Sequence, residues 1–140
     1  MTDHLPSPPL PMAAYPEKPG MVTAVAVMTL VNGILNILWG FLITLGAVLG
    51  SLGWGCLCAP LTILPAVLGV FEIVYAAQLL SAPPRRVGPS QVLAIFEICM
   101  ILAANPISLI VGILALVFYN DPLVRAYFAA INAPRANAVP

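Results

Sequence analysis

Residues 91–119 read QVLAIFEICMILAANPISLIVGILALVFY, an apolar run interrupted at Asn105-Pro106. As one helix at ~1.5 Å per residue it would be about 43 Å long, well beyond the ~30 Å hydrocarbon core of a bilayer. Asn is a favoured helix N-cap and Pro a favoured first helical residue. Pro also disfavours helix at the residue before it. The run is therefore read as two helices, 89–104 and 106–119, each roughly 21–24 Å long and joined by a tight turn. Two short spans that thin the bilayer, a re-entrant hairpin and a single kinked helix all remain open. The first two return the chain to the side it came from.

Upstream, SAPPRRVGP at 81–89 forms a stiff loop, preceded by an apolar run at 61–80 of spanning length. A Gly-rich turn, GSLGWGCLCAP at 50–60, separates that run from the first one, 22–49, which carries no charge. Residues 1–20 are rich in proline, with P-x-x-P spacings at Pro8–Pro11 and Pro16–Pro19, and read as an extended or disordered tail. Downstream, Asn120-Asp121-Pro122 repeats the cap-then-proline signal and starts a helix over 121–131. Leu123, Val124, Tyr127, Phe128 and Ile131 fall near one face with Arg125 off it, which suits a helix in the membrane interface. Residues 132–140 read as a frayed tail.

The chain has 140 residues, 61% hydrophobic and 7% charged, far below the ~25% charged residues of a soluble domain. All five Lys and Arg residues (Lys18, Arg85, Arg86, Arg125 and Arg135) lie between or beyond the apolar runs. Two crossings in each half put all five on one side, and the positive-inside rule makes that side cytoplasmic, with both termini. The fold class expected is an all-α integral membrane protein. It comprises a four-helix transmembrane bundle over 21–120, whose third and fourth helices are short, plus a C-terminal interfacial helix. The first run is far longer than a signal-peptide core and follows an acidic, proline-rich segment, so it reads as a permanent anchor. Zero net charge and the lack of a basic run argue against a nucleic-acid partner.

Two carboxylates lie within the apolar runs. Glu72 is eight residues before Leu80, and Glu97 is six residues after Gln91. In a hairpin both are about 10–12 Å from the inner surface, on antiparallel neighbours. Their contexts match, GVFEI at 69–73 against AIFEI at 94–98, as in a remnant of an inverted repeat. A lipid-facing ionised Glu is costly, so the pair shares a proton, binds a cation or sits neutral among polar partners. Asn32 and Asn36, i and i+4 on the first run, supply such partners, and Gln78 is another candidate. Gly33 and Gly40 share a face and invite close helix packing, with Gly46, Gly50, Gly69 and Gly112 in similar roles.

Cys56 and Cys58 form a soft-ligand pair without a nearby third ligand, a weak metal candidate that equally fits a local disulfide or plain burial. Cys99 reads as a small core residue, Trp39 as packing and Trp54 as an interfacial anchor. The one histidine, His4, is in the tail, and neither a catalytic triad nor a phosphate loop can be assembled. Neither an enzyme nor a cofactor is expected.

The stretch NPISLIVGILALVFYNDPLVRAYF, 105–128, resembles the closing segment of small, mostly uncharacterised bacterial four-span membrane proteins. More loosely, VNGILNILWG at 31–40 is similar to the first span of the membrane-spanning four-domain (tetraspan) family. The resemblance implies a four-helix arrangement, here without the long outer loop of many such proteins, and it carries no site. The function expected is a small scaffold or accessory subunit of the bacterial cytoplasmic membrane, packing with itself or with other membrane proteins in the lipid bilayer. The alternative is an oligomeric proton or cation pathway built on Glu72 and Glu97.

Overall fold

A computed structural model describes residues 15–51 and 54–134. The leader through residue 14, with His4 and the Pro8–Pro11 spacing, lies outside the described residues, as do Arg135 and the closing tail. Helix α1 covers Gly20–Gly50, and a short turn of helix, α2 (Ala59–Thr62), leads into α3 (Leu64–Leu80). Helix α4 (Gln91–Cys99) tightens into a 3₁₀ turn at Met100–Ala103, followed by α5 (Pro106–Tyr119) and α6 (Pro122–Asn132). The protein is an all-α integral membrane bundle with two long apolar spans, Gly20–Gly50 and Ala59–Leu80. A shorter C-terminal pair, α5 and α6, is bent by 75° like a broken span.

The distribution of side chains departs from that of a soluble protein. Thr29, Asn32, Asn36, Glu72, Glu97, Asn105 and Ser108 are buried, while Leu38, Phe41, Leu42, Leu45, Phe71 and Leu102 are exposed. Only a surrounding of lipid tails makes that arrangement favourable.

Local chemistry sets the helix ends. Asn105 caps α5 by accepting from Ser108 N (3.2 Å), with Pro106 in the first turn. Asp121 caps α6 from Leu123 N (2.8 Å), again ahead of a proline. Ser90 caps α4 from Leu93 N (3.4 Å). The α4–α5 hairpin turns at Ala104, which holds the left-handed conformation at φ 54°. The C-terminal end of α3 receives the Lys18 ammonium, which donates to Leu79 O at 2.5 Å.

Two backbone crossings organise the bundle. A Cβ on Gly33 would lie 2.8 Å from Gly69 O, and one on Gly40 would lie 2.6 Å from Ala66 N, so α1 and α3 pack backbone to backbone. Gly112 brings α5 equally close to α4, at Ala94 O and Glu97 Cβ. Gly46 and Gly50 depart from the sequence expectation. Each faces open space, because the 54–62 segment packs against another face of α1, at Thr44, Ala47 and Ser51.

Helix α6 lays Val124, Tyr127 and Phe128 over the end of the bundle, where they pack with Val22, Val25, Leu79 and Tyr119. Its ring contacts are edge-on, Tyr119–Phe128 at 6.3 Å and Tyr127–Phe128 at 5.8 Å. The start of α1, the end of α3, the 81–90 loop and α6 therefore share one end of the molecule. Lys18 reaches Leu79 there, and Asn132 Nδ2 donates to Val87 O at 2.8 Å.

The two kinds of glycine give opposite expectations for alanine substitution. Gly33→Ala is expected to destabilise by about 1–3 kcal/mol through overpacking. Gly46→Ala should be neutral or stabilising, by up to about 1 kcal/mol of helix propensity. Thermal unfolding of the detergent-solubilised protein checks both.

Candidate functional site

Glu72 projects from α3 towards α1, where Asn32 and Asn36 stand one turn apart. Asn32 Nδ2 donates to Glu72 Oε1 at 3.0 Å. Asn36 Nδ2 straddles the carboxyl group, 3.0 Å from each oxygen. The side chains are short, and they reach because Gly33 and Gly69 let the two backbones nearly touch.

The amide oxygens face the other way, to α5 and its cap. Asn36 Oδ1 accepts from Asn105 Nδ2 at 2.6 Å and from Ser108 Oγ at 3.0 Å. Ser108 Oγ also lies 3.1 Å from Asn32 Oδ1. Asn36 thus joins α3, α1 and the hairpin turn through one side chain. Asn105 and Ser108 extend the cluster beyond the sequence expectation. The Asn-Pro signal identified Asn105 as a cap, but nothing in sequence indicated that its amide nitrogen remains free to bond α1.

Glu97 completes the cluster from α4. It is 1% exposed, and neither of its carboxyl oxygens meets an N–H or O–H donor. Its carboxyl group stands close to that of Glu72. The structure thus brings Glu72, Glu97, Asn32 and Asn36 together within a single chain.

A packing correspondence explains why the two carboxyl groups differ. Around Gly33 stand Gly69 O, Glu72 Cβ and Ile73 Cγ1; around Gly112 stand Ala94 O, Glu97 Cβ and Ile98 Cγ1. The GVFEI and AIFEI segments therefore meet their partner helices in the same way. The partners differ chemically. The residues flanking Gly33 at −1 and +3 are Asn32 and Asn36, whereas those flanking Gly112 are Val111 and Ala115. One carboxyl group has amide donors, and the other faces aliphatic carbon.

No protein-family model, curated protein or solved structure matches the chain. The multi-span, all-helical membrane architecture therefore rests on its own helices.

Other sequence candidates fall outside the cluster. Gln78 lines an open cleft beneath the 81–90 loop instead of approaching the carboxyl groups. Cys99 is exposed on the outward face of α4, not in the core, because Glu97 and Ala94 occupy the inward positions. Cys58 is an exposed free thiol, and the Cys56 side chain lies outside the described residues. Trp39 is partly exposed and donates its indole N–H to Ala103 O at 3.1 Å, tying α1 to the hairpin turn. Trp54 is exposed beside the α1–α2 connection.

Removing the branching residue should cost more than removing a branch. Asn36→Ala strands the Asn105 amide donor and leaves Glu72 and Ser108 with Asn32 alone, an expected loss of about 2–4 kcal/mol. Ser108→Ala is expected to cost about 1 kcal/mol, in the range of single interhelical bonds in membranes. Reversible unfolding in mixed micelles measures the difference.

Proposed function

We propose that this protein is an integral-membrane proton pathway whose working groups are Glu72 and Glu97. The observation that carries this reading is the burial of the Glu97 carboxyl group without a donor, close to Glu72. Two ionised carboxylates in contact repel, and each loses solvation worth several kcal/mol within a bilayer, so the pair holds one proton. Asn32 and Asn36 present N–H donors to Glu72, which makes Glu72 the hydrogen-bond acceptor of the pair. Glu97 then carries the proton and donates it to Glu72. A proton suits this site better than a metal cation, because the Asn side chains present N–H groups to the carboxylate, and hard cations take oxygen ligands.

The reading includes four crossings or near-crossings, in keeping with the resemblance to small bacterial four-span proteins, and both termini in the cytoplasm of a bacterial cell. Lys18, Arg85, Arg86 and Arg125 all belong to the end of the molecule that holds the 81–90 loop, which supports placing that end inside. The carboxyl pair forms within one chain, so oligomers are proposed as arrays of complete sites.

A second reading, a scaffold or accessory subunit, is favoured by the way Asn36 links α3, α1 and the hairpin turn. There the polar cluster serves helix association alone.

Proteoliposomes carrying a pH gradient separate the two. Wild type is expected to dissipate the gradient, and Glu97→Gln and Glu72→Gln should each reduce the rate to that of empty vesicles while leaving the fold intact. A wild-type rate equal to empty vesicles would sink the proton reading and leave the scaffold. For topology, a cysteine introduced at Ala133 should be protected from an impermeant thiol reagent added outside cells; labelling there would mean an odd number of crossings.

A further inference from the structure

An open cleft of about 590 Å³ lies at the end of the bundle that carries the 81–90 loop, lined by Tyr75, Gln78, Arg86, Ser90 and Gln91 among others. Tyr75 stands one turn from Glu72 along α3, and its hydroxyl is the most connected group there. It donates to Gly88 O at 3.0 Å and accepts from Ser90 N at 3.1 Å. Tyr119 Oη lies 3.1 Å away and donates to it. Tyr119 is 4% exposed, so this hydroxyl pair joins the open cleft to the closed interior.

Glu97 lies on the interior side of that pair. A helical Cα–Cβ bond tilts towards the helix N-terminus, and the N-terminus of α4 is the cleft end, beginning at Gln91. The Glu97 side chain therefore leans towards the cleft, and Tyr119, seven residues beyond the Gly112 that Glu97 packs against, stands on the same face of α5 in that direction. Glu72, on a helix running the opposite way, leans towards Asn36 and the hairpin turn. The two side chains thus leave their helices in opposite directions along the bundle.

We propose that the cleft is the aqueous mouth of the carboxyl pair, and that the Tyr119 and Tyr75 hydroxyls relay protons between Glu97 and water in the cleft. This rests on the proton-pathway reading above. In the release direction Glu97 passes its proton to Tyr119 Oη across one bridging water. The Tyr119 proton moves to Tyr75 Oη, and the Tyr75 proton leaves to cleft water. Each oxygen makes one O–H bond as it breaks another, and rotation of the hydroxyls resets the chain for uptake. The titratable or charged groups facing this route are Glu72, Glu97, the two tyrosines and Arg86, which lines the exposed mouth where solvent screens its charge.

Tyr75→Phe and Tyr119→Phe keep the rings and remove the relay. In proteoliposomes each is expected to lower proton flux on the order of tenfold or more, with the double variant no slower than the worse single one. Infrared spectroscopy in heavy water supplies a readout that packing alone would not move: the hydrogen–deuterium exchange rate of the Glu97 carboxyl band, assigned with Glu97→Gln. Both Phe variants should slow it. Wild-type flux and exchange in both Phe variants, with flux still abolished by Glu97→Gln, would overturn the relay and leave the carboxyl pathway standing. No wild-type flux and no carboxyl band lost in Glu97→Gln would overturn both. Should one Phe variant fail to fold, the other decides.

Discussion

Everything polar in this bundle depends on the approach of α1 to α3 at Gly33 and Gly69. Asn side chains are short, and a carboxyl group can be held between two helices only when the backbones are nearly in contact. Each glycine lies against the other's carbonyl oxygen, so neither position has room for a methyl group. Removing that closeness would leave Glu72 in hydrocarbon without its amide donors, a cost of several kcal/mol. The crossing and the hydrogen bonds are therefore one interaction viewed at two scales. Dispersion between the backbones sets the distance, and the amides make the buried carboxyl group tolerable.

The same packing recurs between α4 and α5 without the same chemistry. Gly112 meets Ala94, Glu97 and Ile98 as Gly33 meets Gly69, Glu72 and Ile73. The correspondence pairs α3 with α4 and α1 with α5, so it does not follow chain order as a simple duplication would. Its effect is to place two carboxyl groups side by side in unequal surroundings. Groups of one kind held in different environments can divide the roles of proton donor and acceptor between them. In this chain the unequal surroundings arise from Asn32 and Asn36 on one helix where the other carries Val111 and Ala115.

Much of this was legible in sequence because a bilayer leaves few options. Uncharged runs must be helices, and a Glu within one must face inward. The shared depth of Glu72 and Glu97 followed from counting residues, and the i, i+4 spacing put Asn32 and Asn36 on one face. The cap-then-proline signals at Asn105-Pro106 and Asp121-Pro122 mark real helix starts because they act locally. Rotation about each helix axis was not legible, since the apolar residues are nearly uniform around it. Cys99 could not be distinguished from a core residue, nor Gln78 from a partner of the carboxyl groups. Gly46 and Gly50 looked like Gly33 and Gly40 for the same reason; what separates them is whether a neighbour lies opposite. Ser108 entered the cluster through the direction in which α5 leaves the turn, which depends on the left-handed Ala104.

The hairpin is short, and its tip lies close to the polar cluster, since Asn105 at the turn bonds Asn36 directly. Helix α1 continues from Gly40 to Gly50 beyond that level, with Phe41, Leu42, Leu45 and Leu49 bare along the way. On the hairpin side the layer beyond Asn105 thus holds α1 packed against α2 and the start of α3, through Gly40–Ala66 and Thr44–Thr62, with lipid tails around them. A voltage across the membrane falls mainly over its least polarisable part. With an aqueous cleft at one end and a hydrogen-bonded cluster through the middle, that part lies beyond the turn. A full elementary charge moved through 100 mV changes energy by about 2.3 kcal/mol. In the proposed pathway, a proton moving between Glu97 and Glu72 traverses only a fraction of that drop, so its position within the pair is set mainly by its immediate neighbours and only weakly by membrane voltage.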